Sequence, residues 1–198
     1  MRILISGGCK NGKSHYAQYL AKAQQKTCYK TTGFGTGSDS LYYVATMRSV
    51  DPEDDERIAQ HRQDRDGWGF TTVEQTADIE KILDTCGKDP SVLLDSLTAL
   101  LANEMFPRDG TINEHAAEKI TGGLSQVLGG IANIVLVSDY IYGDAKFYDP
   151  ITEMYRKSLA AVDREAARMC DAVLEIVYTH VIVHKGGEAF EALYRKIR

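Results

Sequence analysis

Gly7, Gly8, Cys9, Lys10, Asn11, Gly12, Lys13 and Ser14 follow the spacing Gly-x-x-x-x-Gly-Lys-Ser, and the chemistry this spacing serves is the holding of a polyphosphate. Glycines let successive backbone N–H groups turn inward around an anion. A helix that begins there points the positive end of its dipole at the same charge. Lys13 would rest on the β- and γ-phosphate oxygens, and the Ser14 hydroxyl would ligate a magnesium ion. The flanks have the required form: the apolar run Arg2 to Ser6 for a buried strand before the loop, and Tyr16, Leu20 and Ala21 on one face of a helix after it. Cys9, close to a helix start, is either a more reactive thiol than the rest or a small residue that the loop tolerates.

A second group is the carboxylate that ends Ser91-Val92-Leu93-Leu94-Asp95. In a phosphate-loop protein an acid at this place is a direct or indirect magnesium ligand. The other reading of Asp95 is a cap for the helix that follows, Leu97 to Asn103. A third group is Arg57, His61 and Arg65, which recur every four residues and so share one helical face. A histidine between two arginines on a helix surface is either solvated or set among phosphate-binding cations.

These groups need a frame, and the chain supplies alternating strand and helix patterns. Helices are expected from about Ser14 to Gln25, from Asp51-Pro52 through Arg65, over about Asp78 to Cys86, over Leu97 to Asn103, and from about Asn113 to Leu128. The longest should open at Asp149-Pro150 and run to about Met169, with Met154, Leu159, Val162 and Ala166 inward and Arg156, Lys157, Arg164 and Arg168 outward. Strands are expected at Leu41 to Thr46, Phe70 to Val73, Ser91 to Asp95, Ile131 to Ser138, Ala172 to Val177 and His180 to Val183. Thr31 to Ser38 reads as a polar, glycine-rich loop. Asp139 to Asp144 reads as a loop at a strand's C-terminal end, where open parallel sheets place ligands. The order implies an α/β fold of the phosphate-loop NTPase kind: a three-layer sandwich with a mostly parallel sheet and helices on both faces. Residues 1–187 would form the nucleotide-binding domain, and 188–198 a helical extension.

The 198 residues and net charge of −5 fit one domain with no general attraction to nucleic acid or to an anionic membrane. No apolar run reaches the length of a membrane span and no signal peptide precedes the first strand, so a cytoplasmic protein is expected. Cys9, Cys28, Cys86 and Cys170 lack the spacing of a zinc site or of a disulfide framework.

In this order the motifs resemble the adenosylcobinamide kinase/adenosylcobinamide-phosphate guanylyltransferase family of cobalamin biosynthesis. The resemblance runs from residue 1 to about Lys185. It is carried by the phosphate loop, Tyr43-Val44-Ala45-Thr46, Thr72-Val73-Glu74, Asp55 to Arg62 with Arg65, and Leu93 to Thr98 with Asn103. It implies a nucleoside triphosphate, GTP or ATP, as donor and magnesium held by Ser14 and Asp95. It also implies two reactions: phosphorylation of the aminopropanol hydroxyl of adenosylcobinamide, then attack of a histidine on the α-phosphate of GTP and transfer of GMP to the new phosphate. The resemblance makes His61 the nucleophile, with Arg57 and Arg65 as nucleotide-binding cations, Lys13 as the catalytic cation, and a homotrimer as the assembly. A neutral imidazole can attack near pH 7 because its unperturbed pKa lies close to that value.

The chain departs from the family pattern at definite places. Gln60 stands where members with two adjacent histidines keep the first. Asp139-Tyr140-Ile141-Tyr142-Gly143-Asp144 replaces the usual Asn-Glu-Val-Gly-x-Gly. Ala160 and Asp163-Arg164 replace the usual Gly and Asn-Gln, and Phe70 takes the place of a tryptophan. Two further readings therefore stand beside the first: a small-molecule kinase acting on a different alcohol, and a module that binds GTP or ATP without chemistry.

Overall fold

A computed structural model describes residues 1–32 and 41–195. Its strands are β1 (Arg2–Gly7), β2 (Leu41–Ala45), β3 (Thr71–Glu74), β4 (Ser91–Asp95), β5 (Asn133–Val137), β6 (Ala172–Val177) and β7 (His180–Lys185). They form one sheet in the order β3-β2-β4-β5-β1-β6-β7. Every pairing is parallel except that of β7, which runs antiparallel along β6. The helices are α1 (Lys13–Thr32), α2 (Pro52–Asp64), α3 (Ile82–Thr85, entered through a 3-10 turn at Ile79–Lys81), α4 (Leu97–Met105), α5 (Ala116–Gly130), α6 (Pro150–Met169) and α7 (Gly187–Arg195).

The central strands are short apolar runs, and their side chains alternate between two cores. Ile3, Ile5, Leu93, Val135, Val137 and Leu174 pack with Ala17 and Leu20 of α1 and with Phe190 and Leu193 of α7. Leu4, Val44, Val92, Leu94, Ile134 and Leu136 pack on the other side with residues of α4, α5 and α6. A sheet covered on both faces needs this continuous apolar patterning, and parallel strands need the helical crossovers that cover it. The expected three-layer α/β architecture is the one observed. Among the described residues no helix is long and apolar enough to cross a membrane.

Two expectations change. The first helix continues to Thr32 rather than stopping near Gln25, because no glycine or proline interrupts the chain before Gly33; Thr31 and Thr32 are therefore helical. The rest of that expected loop, residues 33–38, lies outside the described residues, as do residues 196–198 of the expected C-terminal extension. The second change is Arg156, expected on the solvent face of the long helix and found buried. Lys157, Arg164 and Arg168 do face solvent.

The strand register fixes what meets at the C-terminal end of the sheet. Ala45, Asp95, Val137 and Ile5 share one row across β2, β4, β5 and β1. The residues following these positions belong to the loops that carry the candidate chemistry. Asp95 lies two strands from β1, with β5 and its trailing Asp139 between them.

Candidate functional site

The loop between β1 and α1 is held by contacts that its residue types alone permit. A Cβ on Gly7 would lie 2.5 Å from both Asn11 Nδ2 and the Ile176 carbonyl oxygen, closer than real Cβ atoms come. Asn11 Nδ2 donates to that same Ile176 oxygen, which ties the loop to the end of β6. Asn11 Oδ1 accepts from the Lys13 backbone N–H at 3.3 Å and so caps the first turn of α1. Gly12 (φ +90°) and Lys10 (φ +54°) supply the left-handed backbone that bends the loop. G7A is expected to lower stability by about 2 kcal/mol, because the added methyl must push the Asn11 side chain or β6 aside; urea denaturation measures it.

Lys13 is 5% exposed, and its ammonium group sits inside the loop. It donates to the Gly8 carbonyl at 2.6 Å and lies 2.9 Å from Asp139 Oδ1. Asn11 Oδ1 is a third acceptor at 3.5 Å. Asp139 is held from behind, its backbone N–H donating to Thr98 Oγ1 at 2.8 Å. On either side of it, the Ser138 N–H donates to Ile5 and the Tyr140 N–H to Gly7. The pairing of β5 with β1 is thus carried past the strand ends into the loop.

Asp95 belongs to a second cluster. Its Oδ2 accepts from the Tyr43 hydroxyl at 2.9 Å. Tyr43 is buried under the guanidinium of Arg65, which stands 3.8 Å from the ring centroid. Burial, with Asp95 beside it, pushes the Tyr43 hydroxyl well above its ordinary range, so it remains a donor to the carboxylate. Asp95 does not cap α4; Ser96 does, accepting from the Ala99 N–H at 3.2 Å. The Thr46 hydroxyl bridges both peptide groups of Ser96, and Asn103 Nδ2 donates to the Thr46 carbonyl. These contacts fix the ends of β2 and β4 against each other.

A magnesium ion is tested by its donor set. Asp95 Oδ1 and the half-buried Ser14 hydroxyl make no hydrogen bond to a described residue. Among the described residues no three His, Cys, Asp or Glu side chains gather into a metal cage. Magnesium requires no such cage, being held by one or two protein oxygens together with phosphates and waters. The residues fit that ion.

The Arg57, His61 and Arg65 face is not presented evenly. α2 is capped by Asp51, which accepts from the Asp54 N–H, and carries Glu53, Asp54 and Asp55 in its first turn. Arg57 is exposed and 3.6 Å from Asp54. His61 is half-buried and has no hydrogen bond or ion pair to another described residue. Arg65, at the C-cap of α2, is buried and stacks on Tyr43. Arg62, by contrast, pairs with Glu74 at 2.6 Å and ties α2 to the end of β3. The structure therefore joins Lys13 to Asp139 and Asp95 to Arg65 through Tyr43, while Arg57 and His61 make no hydrogen bond or ion pair with either cluster among the described residues. Trp68, just after α2, meets His15 edge-on at 5.4 Å, packing this turn on α1.

The loop from Asp139 to Tyr148 is organised by Arg156. The guanidinium binds Asp144 Oδ1 and Glu153 Oε1, both at 2.6 Å, and donates to the carbonyls of Ile141, Lys146 and Asp144. It also lies over the Tyr148 ring. Tyr142 donates to the buried Asp163 at 2.8 Å. Burial raises the Asp163 carboxyl to about 6, against the lowering effect of the Tyr142 hydroxyl that donates to it. R156M is expected to destabilise the fold by about 2 kcal/mol, since it leaves two carboxylates and several loop carbonyls without their donor; the shift in urea midpoint measures it.

A phosphate loop at the C-terminal end of a doubly covered parallel sheet, with one acid after the adjacent strand β5 and another at the end of β4, the next strand out, defines an α/β protein of the phosphate-loop class. Within that class the match is definite: residues 3–182 fit the model of the cobinamide kinase / cobinamide phosphate guanyltransferase family, and the chain belongs to that family. It is similar to the bifunctional adenosylcobalamin biosynthesis protein CobU of Escherichia coli, 31% identical over 112 residues, which are 56% of this chain and 53% of the relative. The corresponding protein CobP of Pseudomonas aeruginosa is 29% identical over 139 residues, 70% of this chain and 71% of the relative. CobU of Salmonella typhimurium is 28% identical over 116 residues and again matched over 53% of its length. The chain spans about half the length of the two CobU relatives it matches.

Proposed function

We propose that this protein is a magnesium-dependent kinase of the family's adenosylcobinamide type that also carries guanylyl transfer through His61. The observation that carries the kinase half is Lys13, a cation buried within a glycine-bent loop at the start of a 20-residue helix. An ammonium group in that position neutralises charge on the β- and γ-phosphates, and the helix N-terminus adds its dipole. Phosphoryl transfer rests mainly on positioning and charge stabilisation, which these groups supply. Ser14 and Asp95 would hold the magnesium ion, which when bound spreads the triphosphate charge. Tyr43 and Arg65 keep Asp95 oriented.

In the second reaction an imidazole nitrogen of His61 forms a bond to the α-phosphorus of GTP, the bond to the β-phosphate oxygen breaks, and pyrophosphate leaves. A phosphate oxygen of adenosylcobinamide phosphate then attacks the same phosphorus, the P–N bond breaks, and a diphosphate-linked product carries the GMP. A second reading, kinase activity alone, is favoured by two features: His61 has no hydrogen-bond partner among the described residues to orient its ring, and Gln60 beside it cannot form a phosphoramidate. Mass spectrometry of the small-molecule products after incubation with adenosylcobinamide, magnesium and GTP separates the two. A product carrying GMP through a diphosphate supports both activities, and one that stops at the phosphate leaves the kinase alone. Unmodified cobinamide with a folded, GTP-binding protein would overturn the choice of acceptor.

A further inference from the structure

We infer that Asp139 is an internal competitor for polyphosphate, whose carboxylate holds the ammonium group of Lys13 and thereby sets how tightly this protein binds nucleotides that reach that lysine. The inference rests on the nucleotide reading above and adds a residue that the phosphate-loop motif does not contain. An ammonium group has three N–H donors, and Lys13 has three acceptors around it: the Gly8 carbonyl at 2.6 Å, Asp139 Oδ1 at 2.9 Å and Asn11 Oδ1 at 3.5 Å. A phosphate oxygen that takes Lys13 must displace one of them. Asp139 is the only one of the three that bears a charge, so it binds the cation by more than a hydrogen bond. Lys13 is almost fully buried while Asp139 is one-third exposed, so screening by water and salt is incomplete.

The backbone leaves Asp139 no retreat. Ser138, Asp139 and Tyr140 donate their N–H groups in turn to Ile5, to Thr98 Oγ1 and to Gly7. Further along, the loop is fastened by Arg156 and by the bond of Tyr142 to Asp163. With that backbone pinned, the pair opens by rotation of the Asp139 or the Lys13 side chain, and the carboxylate then still stands beside the site of an incoming anion. A ligand that binds only when the pair is open has its apparent affinity reduced by the open fraction; a pair closed roughly nine-tenths of the time would weaken binding about tenfold.

The penalty falls only on ligands that use Lys13, and this supplies the test. Binding of fluorescent-labelled GTP, GDP and GMP, each with magnesium, is compared for wild type, D139N, K13A and K13A/D139N. The asparagine is nearly isosteric and neutral. D139N is expected to bind GTP and GDP about tenfold more tightly and to leave GMP unchanged, because the β- and γ-phosphates are the ones that meet Lys13. In the K13A background the substitution should have no effect, which is the coupling a double-mutant cycle reads. Unchanged or weaker GTP binding in D139N would overturn the inference, and so would an equal gain for GMP or a gain that persists without Lys13. If neither wild type nor D139N bound GTP or inorganic tripolyphosphate, the nucleotide reading itself would fall and the inference with it. Binding by wild type without a gain in D139N overturns the inference alone.

Discussion

Lys13→Ala is expected to lower phosphorylation of the acceptor on the order of a thousandfold, the scale on which losing one preorganised charge stabiliser acts. The fold should survive. The lysine side chain lies along the loop rather than in either apolar core, and its removal leaves Asp139, one-third exposed, to be solvated by water. The cost to stability should be about 1 kcal/mol, typical of substitutions outside a core. Unchanged far-UV circular dichroism with turnover lost would locate the defect in the site. Retained turnover would show that the loop does not bind the reacting phosphates. The comparison with G7A is informative. That variant disturbs the path of the loop and leaves the cation in place, so it should lose stability and activity together, whereas K13A should lose activity almost alone.

The phosphate loop was legible because its residues are constrained one by one: glycines where the backbone bends or β6 approaches, a lysine, and a strand and helix at fixed offsets. The sheet was legible for a similar reason, since β4 and β5 are apolar on both faces and cannot be mistaken for half-exposed strands. Arg156 was not legible. A charge on an amphipathic helix is ordinarily solvated, and only the distant Asp144, Glu153 and the carbonyls of a loop make its burial favourable. Tyr43 reads from sequence as one aromatic of a β-strand; that its hydroxyl holds Asp95 depends on the lateral pairing of β2 with β4, which sequence order does not reveal. Asp139 reads from sequence as the start of a ligand-side loop, but its contact with Lys13 does not. It trails an apolar strand much as Asp95 ends one, and that signal singled out Asp95. Which of the two acids stands beside Lys13 depends on strand order, and β5, not β4, is the neighbour of β1. The spacing of Arg57, His61 and Arg65 does not disclose that the three differ in burial: Arg57 is exposed, His61 half-buried, and Arg65, at the end of α2, is buried over Tyr43, which depends on how α2 meets β2.

His61→Ala should separate the two reactions. Guanylyl transfer is expected to fall on the order of ten-thousandfold or more, as for loss of a covalent nucleophile, while phosphorylation of adenosylcobinamide stays within about twofold, because His61 makes no hydrogen bond or ion pair with the Lys13 or the Asp95 cluster among the described residues. Stability should shift by less than about 0.5 kcal/mol, since the ring is half-buried and gives up no hydrogen bond to another described residue. The covalent step has its own signature. Wild-type protein incubated with α-labelled GTP and magnesium should acquire a label that is lost in acid and kept in alkali, as a P–N bond requires, and H61A should acquire none. Labelling that persists in H61A would move the nucleophile to another residue. Equal loss of both reactions would make His61 a binding residue, because a group serving only the α-phosphate step has no means of slowing transfer of the γ-phosphate. Absence of label on the wild type, with phosphorylation intact, would mean that Gln60 marks a lost function and that α2 contributes only its arginines.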